Sequence, residues 1–124
     1  MFNVFVVFLG GGIGSTARYL TSGWVYRWAG SDFPYGTFFE NTLGCFLIGL
    51  LMTGFEDRFL VSPQLRIFLT IGILGGFTTF STFSFETISM MKDAQYFSAS
   101  VNVTATLAAC LGGTYLGAVI GKLL

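Results

Sequence analysis

The sequence has no histidine. It therefore lacks the side chain that most often moves protons near neutral pH and most often ligates metals. Charge is also scarce. Six basic and six acidic residues make up 10% of 124 residues, against about 25% in a soluble domain. The formal net charge is zero, which excludes the basic footprint of a nucleic-acid binder. There are two cysteines, Cys45 and Cys110, and both fall inside apolar stretches. They read as small buried residues, not as a disulfide or a metal pair. With no histidine, no metal cluster and no nucleophile–base pair, the chain is not expected to be an enzyme. The apolar N-terminus has no basic stretch before it and no convincing cleavage site after it, so a removed signal peptide is not expected.

What is abundant is apolar. Hydrophobic residues are 53% of the chain, and the mean hydropathy is +0.74. A membrane-spanning helix needs about 20 mostly apolar residues. Four stretches meet this requirement: residues 4–28, 36–55, 65–91 and 97–123. The links between them are short, so residues 1–124 are expected to form a single four-helix transmembrane domain with nothing sizeable outside the bilayer. Trp24, Tyr26, Trp28 and Tyr35 cluster at one boundary, as an interfacial belt does.

With four spans, both termini share a side with the second link. That side holds Arg58, Arg66 and Lys122; the other holds Arg27 and Lys92, with Arg18 inside the first span but nearer that side. The positive-inside rule then gives almost no bias. Either the chain has one weakly specified orientation, or it inserts both ways and two opposed copies form an antiparallel dimer with an isologous interface. Close helix packing is supported by Gly10 and Gly14, by Gly72 and Gly76, and by Gly113, Gly117 and Gly121. The segment Gly12-Ile13-Gly14-Ser15-Thr16-Ala17 followed by Asp32 formally matches a dinucleotide fingerprint. That reading is rejected, because the fingerprint needs an α/β domain.

The most informative stretch is residues 72–86, GILGGFTTFSTFSFE. Gly75-Gly76-Phe77-Thr78-Thr79 is the expected helix break. Freed carbonyls there can hold a cation such as sodium, and freed amides can hold an anion, the alternative being a kinked helix satisfied by neighbouring threonines. Phe80 and Phe83 share a helix face, and aromatic ring edges are positive. Ser81 and Thr82 place hydroxyls between them, and Glu86 follows one turn on. In the second span, Asn41 supplies both donors and an acceptor, for an anion shedding water or for an interhelical bond. Glu40 beside it either faces the headgroups or modifies the pathway. Arg18 either snorkels or concentrates anions at a pore mouth. Asn102, Thr106, Cys110 and Thr114 form a polar stripe on the fourth span, either glue between helices or a ladder for an ion.

These residues resemble the Fluc (CrcB) family of fluoride channels. Gly11-Gly12-Ile13-Gly14 with Arg18-Tyr19 is similar to its first-span motif, and Gly36-Thr37 with Asn41 and Gly44 to its second. The stretch from Gly75 through Ser84, with Glu86, is similar to its third and most specific. The resemblance implies an antiparallel, dual-topology homodimer with two pores in the bacterial cytoplasmic membrane, passively exporting fluoride. It implies that Asn41, Phe80 and Phe83 line the path, with Ser81, Thr82, Thr106 and Thr114 as polar neighbours. It implies Arg18 near a vestibule, and a structural sodium ion on the carbonyls of Gly75 and Thr78. Glu86 and Glu40 are candidates for modulating conduction. Two features depart from the family pattern: Glu40 stands where an apolar residue such as valine is expected, and Asn102 and Cys110 stand where tyrosine or serine is. A small proton-coupled dual-topology exporter of cationic drugs is the alternative. It needs a membrane glutamate, which the first span lacks, so Glu86 or Glu40 would have to substitute.

Overall fold

The computed structural model describes residues 1–57 and 61–124. Arg58, which enters the charge count above, lies outside them. The described residues are all helical or connecting, with no strand among them. Helix α1 is Phe2–Ala29 and α2 is Tyr35–Asp57. The third span is composite: α3 Pro63–Ile67, a π-helical segment Phe68–Leu74, α4 Gly75–Phe77 and α5 Phe80–Lys92. Helix α6 is Tyr96–Leu123. Four stretches are long and apolar enough to cross a membrane: Phe2–Ala29, Tyr35–Glu56, Pro63–Lys92 and Tyr96–Leu123. The spans expected from sequence are recovered, each slightly longer.

Two glycine-lined seams hold the spans together. In the first, Gly10 and Gly72 stand backbone to backbone, and a Cβ on Gly10 would lie 2.9 Å from the Gly72 Cα. Gly14 sits against the Ile73 carbonyl, and a Cβ on Gly76 would lie 2.6 Å from the Gly11 carbonyl. This seam docks the middle of the third span on α1. In the second, α6 packs on α2, the most extensive helix pair in the fold. Gly113 faces Thr42, Gly117 faces the Phe46 carbonyl and Gly121 faces the Leu50 carbonyl. The matched numbers rise together, so α2 and α6 run parallel. Small residues let backbones approach in the way that membrane helices associate without a hydrophobic drive.

The break in the third span is narrower than the sequence suggests. Gly75 and Gly76 remain helical, and only Thr78 (φ −93°, ψ 156°) and Thr79 (φ −153°, ψ 114°) are extended. The glycines are used for packing, with Gly76 against α1, and the threonines carry the turn. The π-helical stretch ahead of the break was not anticipated. Thr70 Oγ1 donates to the Arg66 carbonyl at 2.8 Å, a back-bond that loosens the helical ladder. Segments of π-helix concentrate at functional sites.

Candidate functional site

The site is built on the peptide of Thr79. Asn41, buried on α2 at 8% exposure, grips that peptide on both sides. Its Nδ2 donates to the Thr79 carbonyl at 3.0 Å, and its Oδ1 accepts from the Thr79 amide at 2.8 Å. One side chain thus satisfies both backbone groups of an extended residue at membrane depth, where an unsatisfied group costs several kcal/mol. The Thr79 hydroxyl caps α5 by accepting from the Thr82 amide at 3.2 Å. It also donates to the Thr82 hydroxyl at 3.0 Å.

These bonds divert amides from their helical partners. In a continuous helix the amide of residue i bonds the carbonyl of residue i−4. The Thr79 amide would serve Gly75 and goes instead to Asn41; the Thr82 amide would serve Thr78 and goes instead to the Thr79 hydroxyl. The carbonyls of Gly75 and Thr78 thereby lose those partners. The Gly76 carbonyl is taken by Arg18, whose Nε donates at 3.1 Å. Arg18, expected near a vestibule, is thus bonded to the break.

Beside the break lies a cavity of about 350 Å³. It gathers Asn41, Thr79, Phe80, Phe83 and Thr106, with Gly75 and Thr78 at its edge. The two rings are tilted at 53° with centroids 5.4 Å apart, within the range of favourable edge-oriented aromatic pairs. Phe83 is buried, whereas Phe80 is 74% exposed in the single chain. Ser81 is also exposed and lies outside this cavity, as do Thr82, Thr114, Glu40, Glu86 and Arg18.

The polar stripe of α6 divides. Its upper half turns to α5: Asn102 Nδ2 donates to Thr87 Oγ1 at 2.9 Å, and Thr106 Oγ1 donates to Asn102 Oδ1 at 3.4 Å. Thr87 in turn donates to the Phe83 carbonyl at 2.8 Å. The lower half turns to α2: Thr114 donates to the Cys45 carbonyl at 3.1 Å, and Cys110 lines the same cavity as Cys45. Sequence reasoning missed Thr87. Its signal was the spacing of four from Phe83, which puts its hydroxyl back on the carbonyl of that ring's residue.

The two glutamates are both set inside the protein. Glu40 is 1% exposed and its Oε1 has no hydrogen-bond partner. Of the two sequence alternatives, facing the headgroups is thereby removed. Ser22, Arg18 and Glu86 are the polar groups that act on it. Glu86 accepts from the Tyr26 hydroxyl at 3.4 Å, and its Oε1 is likewise buried without a partner. Tyr26 and Glu86 border a second cavity, about 410 Å³, near the link between the first two spans.

Residues 5–118 match the model of the CrcB-like protein, Camphor Resistance (CrcB) family. The chain is 50% identical over 117 residues to a fluoride-specific ion channel of Geobacter sulfurreducens, covering 94% of each. It is 54% identical over 114 residues to the fluoride-specific ion channel of Geotalea daltonii, covering 90% of this chain and 92% of that one. A Methylococcus capsulatus relative of the same name is 38% identical over 120 residues, and this chain spans 53% of its length. With the four spans and the broken third helix already in place, these matches make the chain a multi-pass membrane protein of the CrcB family.

Proposed function

We propose that this chain forms a passive, fluoride-selective channel that exports fluoride across the bacterial cytoplasmic membrane. The observation that carries the reading is the Thr78–Thr79 break, held open by Asn41 beside a cavity walled by Phe80 and Phe83. The names of the relatives supply fluoride. A small anion gives up its water only where donors and positive ring edges replace it. Asn41 keeps a second Nδ2 hydrogen beyond its bond to the Thr79 carbonyl, and Phe80 and Phe83 line the same cavity. Arg18, placed at the break, makes the local potential more positive.

The working unit is an antiparallel homodimer with two pores. Supporting this, Gly75, Phe80 and Ser81 are exposed at the middle of the third span. A polar, glycine-bearing face at that depth is better covered by protein than by lipid. The weak charge bias of the links permits both insertions. The carbonyls of Gly75 and Thr78 fit a structural sodium ion, because both lack the amides a continuous helix would give them and oxygen is the ligand that hard cations take. When bound, sodium supplies a fixed positive charge that ties two copies of the break together. Ser81, Thr82 and Thr114 border the path as positioning groups, and Glu86 and Glu40 modulate it.

The test is fluoride release from liposomes holding the purified protein. Fluoride should leave when valinomycin supplies a countercurrent of potassium, at a rate indifferent to a proton gradient. Release that requires a proton gradient would contradict a passive channel and favour an exchanger.

A further inference from the structure

The parallel packing of α2 on α6 does something the sequence conceals. It sets Gly113 against Thr42 and puts the Thr114 hydroxyl on the Cys45 carbonyl at 3.1 Å, so Cys110, one turn before Thr114, reaches the wall of the cavity that Cys45 also lines. Both thiols are free and both border the cavity that holds Asn41, Phe80 and Phe83. We infer that Cys45 and Cys110 form a chelating site for a soft divalent d10 ion, mercury(II) in particular, and that filling it obstructs the cavity.

Two thiols on adjacent helices are a bidentate soft donor pair, and soft thiolates select soft metals. Coordination releases one proton from each S–H to water, forms two sulfur–mercury bonds and changes no oxidation state. The product is neutral, since the ion's two charges cancel two thiolates. Neutrality matters here because an uncompensated charge is expensive in an apolar cavity. A monovalent soft ion on the same pair would leave one negative charge. Zinc, which prefers four ligands, would find only two sulfurs here and have to complete its shell with water or threonine hydroxyls, a weaker site than two thiolates give to mercury.

The blocking part of this inference rests on the channel reading above; the chelation part does not. Purified protein in detergent is titrated with mercuric ion, and remaining thiols are counted with a maleimide. Chelation predicts two thiols lost per mercury bound, and both thiols still reactive at the same concentration of zinc. One thiol lost per mercury, or equal protection by zinc, overturns the site. In liposomes, mercury should slow fluoride release, and Cys45→Ser and Cys110→Ser should each lower its potency by about tenfold or more. Their rates without mercury control for folding, and the thiol count on the unaltered chain needs no variant. Equal potency on both variants overturns the pairing. If the chain releases no fluoride at all, the channel reading fails while the thiol count still decides the site.

Discussion

At the scale of single residues, Asn41 carries the most. It satisfies two backbone groups of Thr79 at 2.8 and 3.0 Å. Asn41→Ala leaves both unpaired, a loss of about 2–4 kcal/mol, read as a lower melting temperature in detergent and a fall in fluoride release of about tenfold or more. Asn41→Asp keeps the acceptor and loses the donor, so it should recover stability in part and conduction hardly at all. Glu40 makes the opposite prediction. It is buried beside Asn41, with Arg18 and Glu86 in electrostatic reach, and any negative charge it carries there opposes an anion. Glu40→Val should speed fluoride release by about threefold to tenfold, and Glu40→Gln should act in the same direction. Unchanged rates in both would remove Glu40 from the account. That Asn41 takes a hydrogen-bond partner was legible in the sequence, because a polar amide inside an apolar span needs one. Its partner was not legible, since the Thr79 peptide becomes available only once the third span breaks.

At the scale of elements, the third span is where sequence and structure diverge most usefully. The glycines suggested the break, and the threonines make it. Thr79 is extended, and its hydroxyl caps α5, so Thr79→Val should cost about 1 kcal/mol while Thr79→Ser should be nearly neutral. The glycine seams were legible as motifs but not as pairs, because spacing on one helix is silent about the helix opposite. Structure assigns them: Gly72 and Gly76 to α1, and Gly113, Gly117 and Gly121 to α2. A matched pair of variants tests this. Gly117→Ala drives a methyl into the Phe46 carbonyl and should lose about 1–3 kcal/mol, whereas Gly112→Ala meets nothing within 4 Å and should be neutral. Equal melting temperatures for the two would contradict the α2–α6 register. The polar stripe of α6 likewise looked continuous by spacing. It divides because Asn102 meets Thr87 of α5 and Thr114 meets the Cys45 carbonyl of α2.

At the scale of the whole molecule, four spans, their order and the short links follow from hydropathy alone, since apolar length is what a bilayer measures. The family follows from matched sequence over residues 5–118. In the proposed dimer, exposed Phe80, Ser81 and Gly75 on the broken span are covered by a second copy. If it is antiparallel, a tag on the N-terminus should be accessible from both sides of the membrane in about equal amounts; accessibility from one side alone would contradict the opposed dimer. The central claim is narrower still: the cavity beside the break passes fluoride in preference to other anions. Liposomes containing the protein and loaded with equal fluoride and chloride provide the direct measurement, with ion-selective electrodes reading both anions after valinomycin is added. The account predicts rapid loss of fluoride with chloride retained. Loss of both anions at similar rates, or of neither, would contradict it.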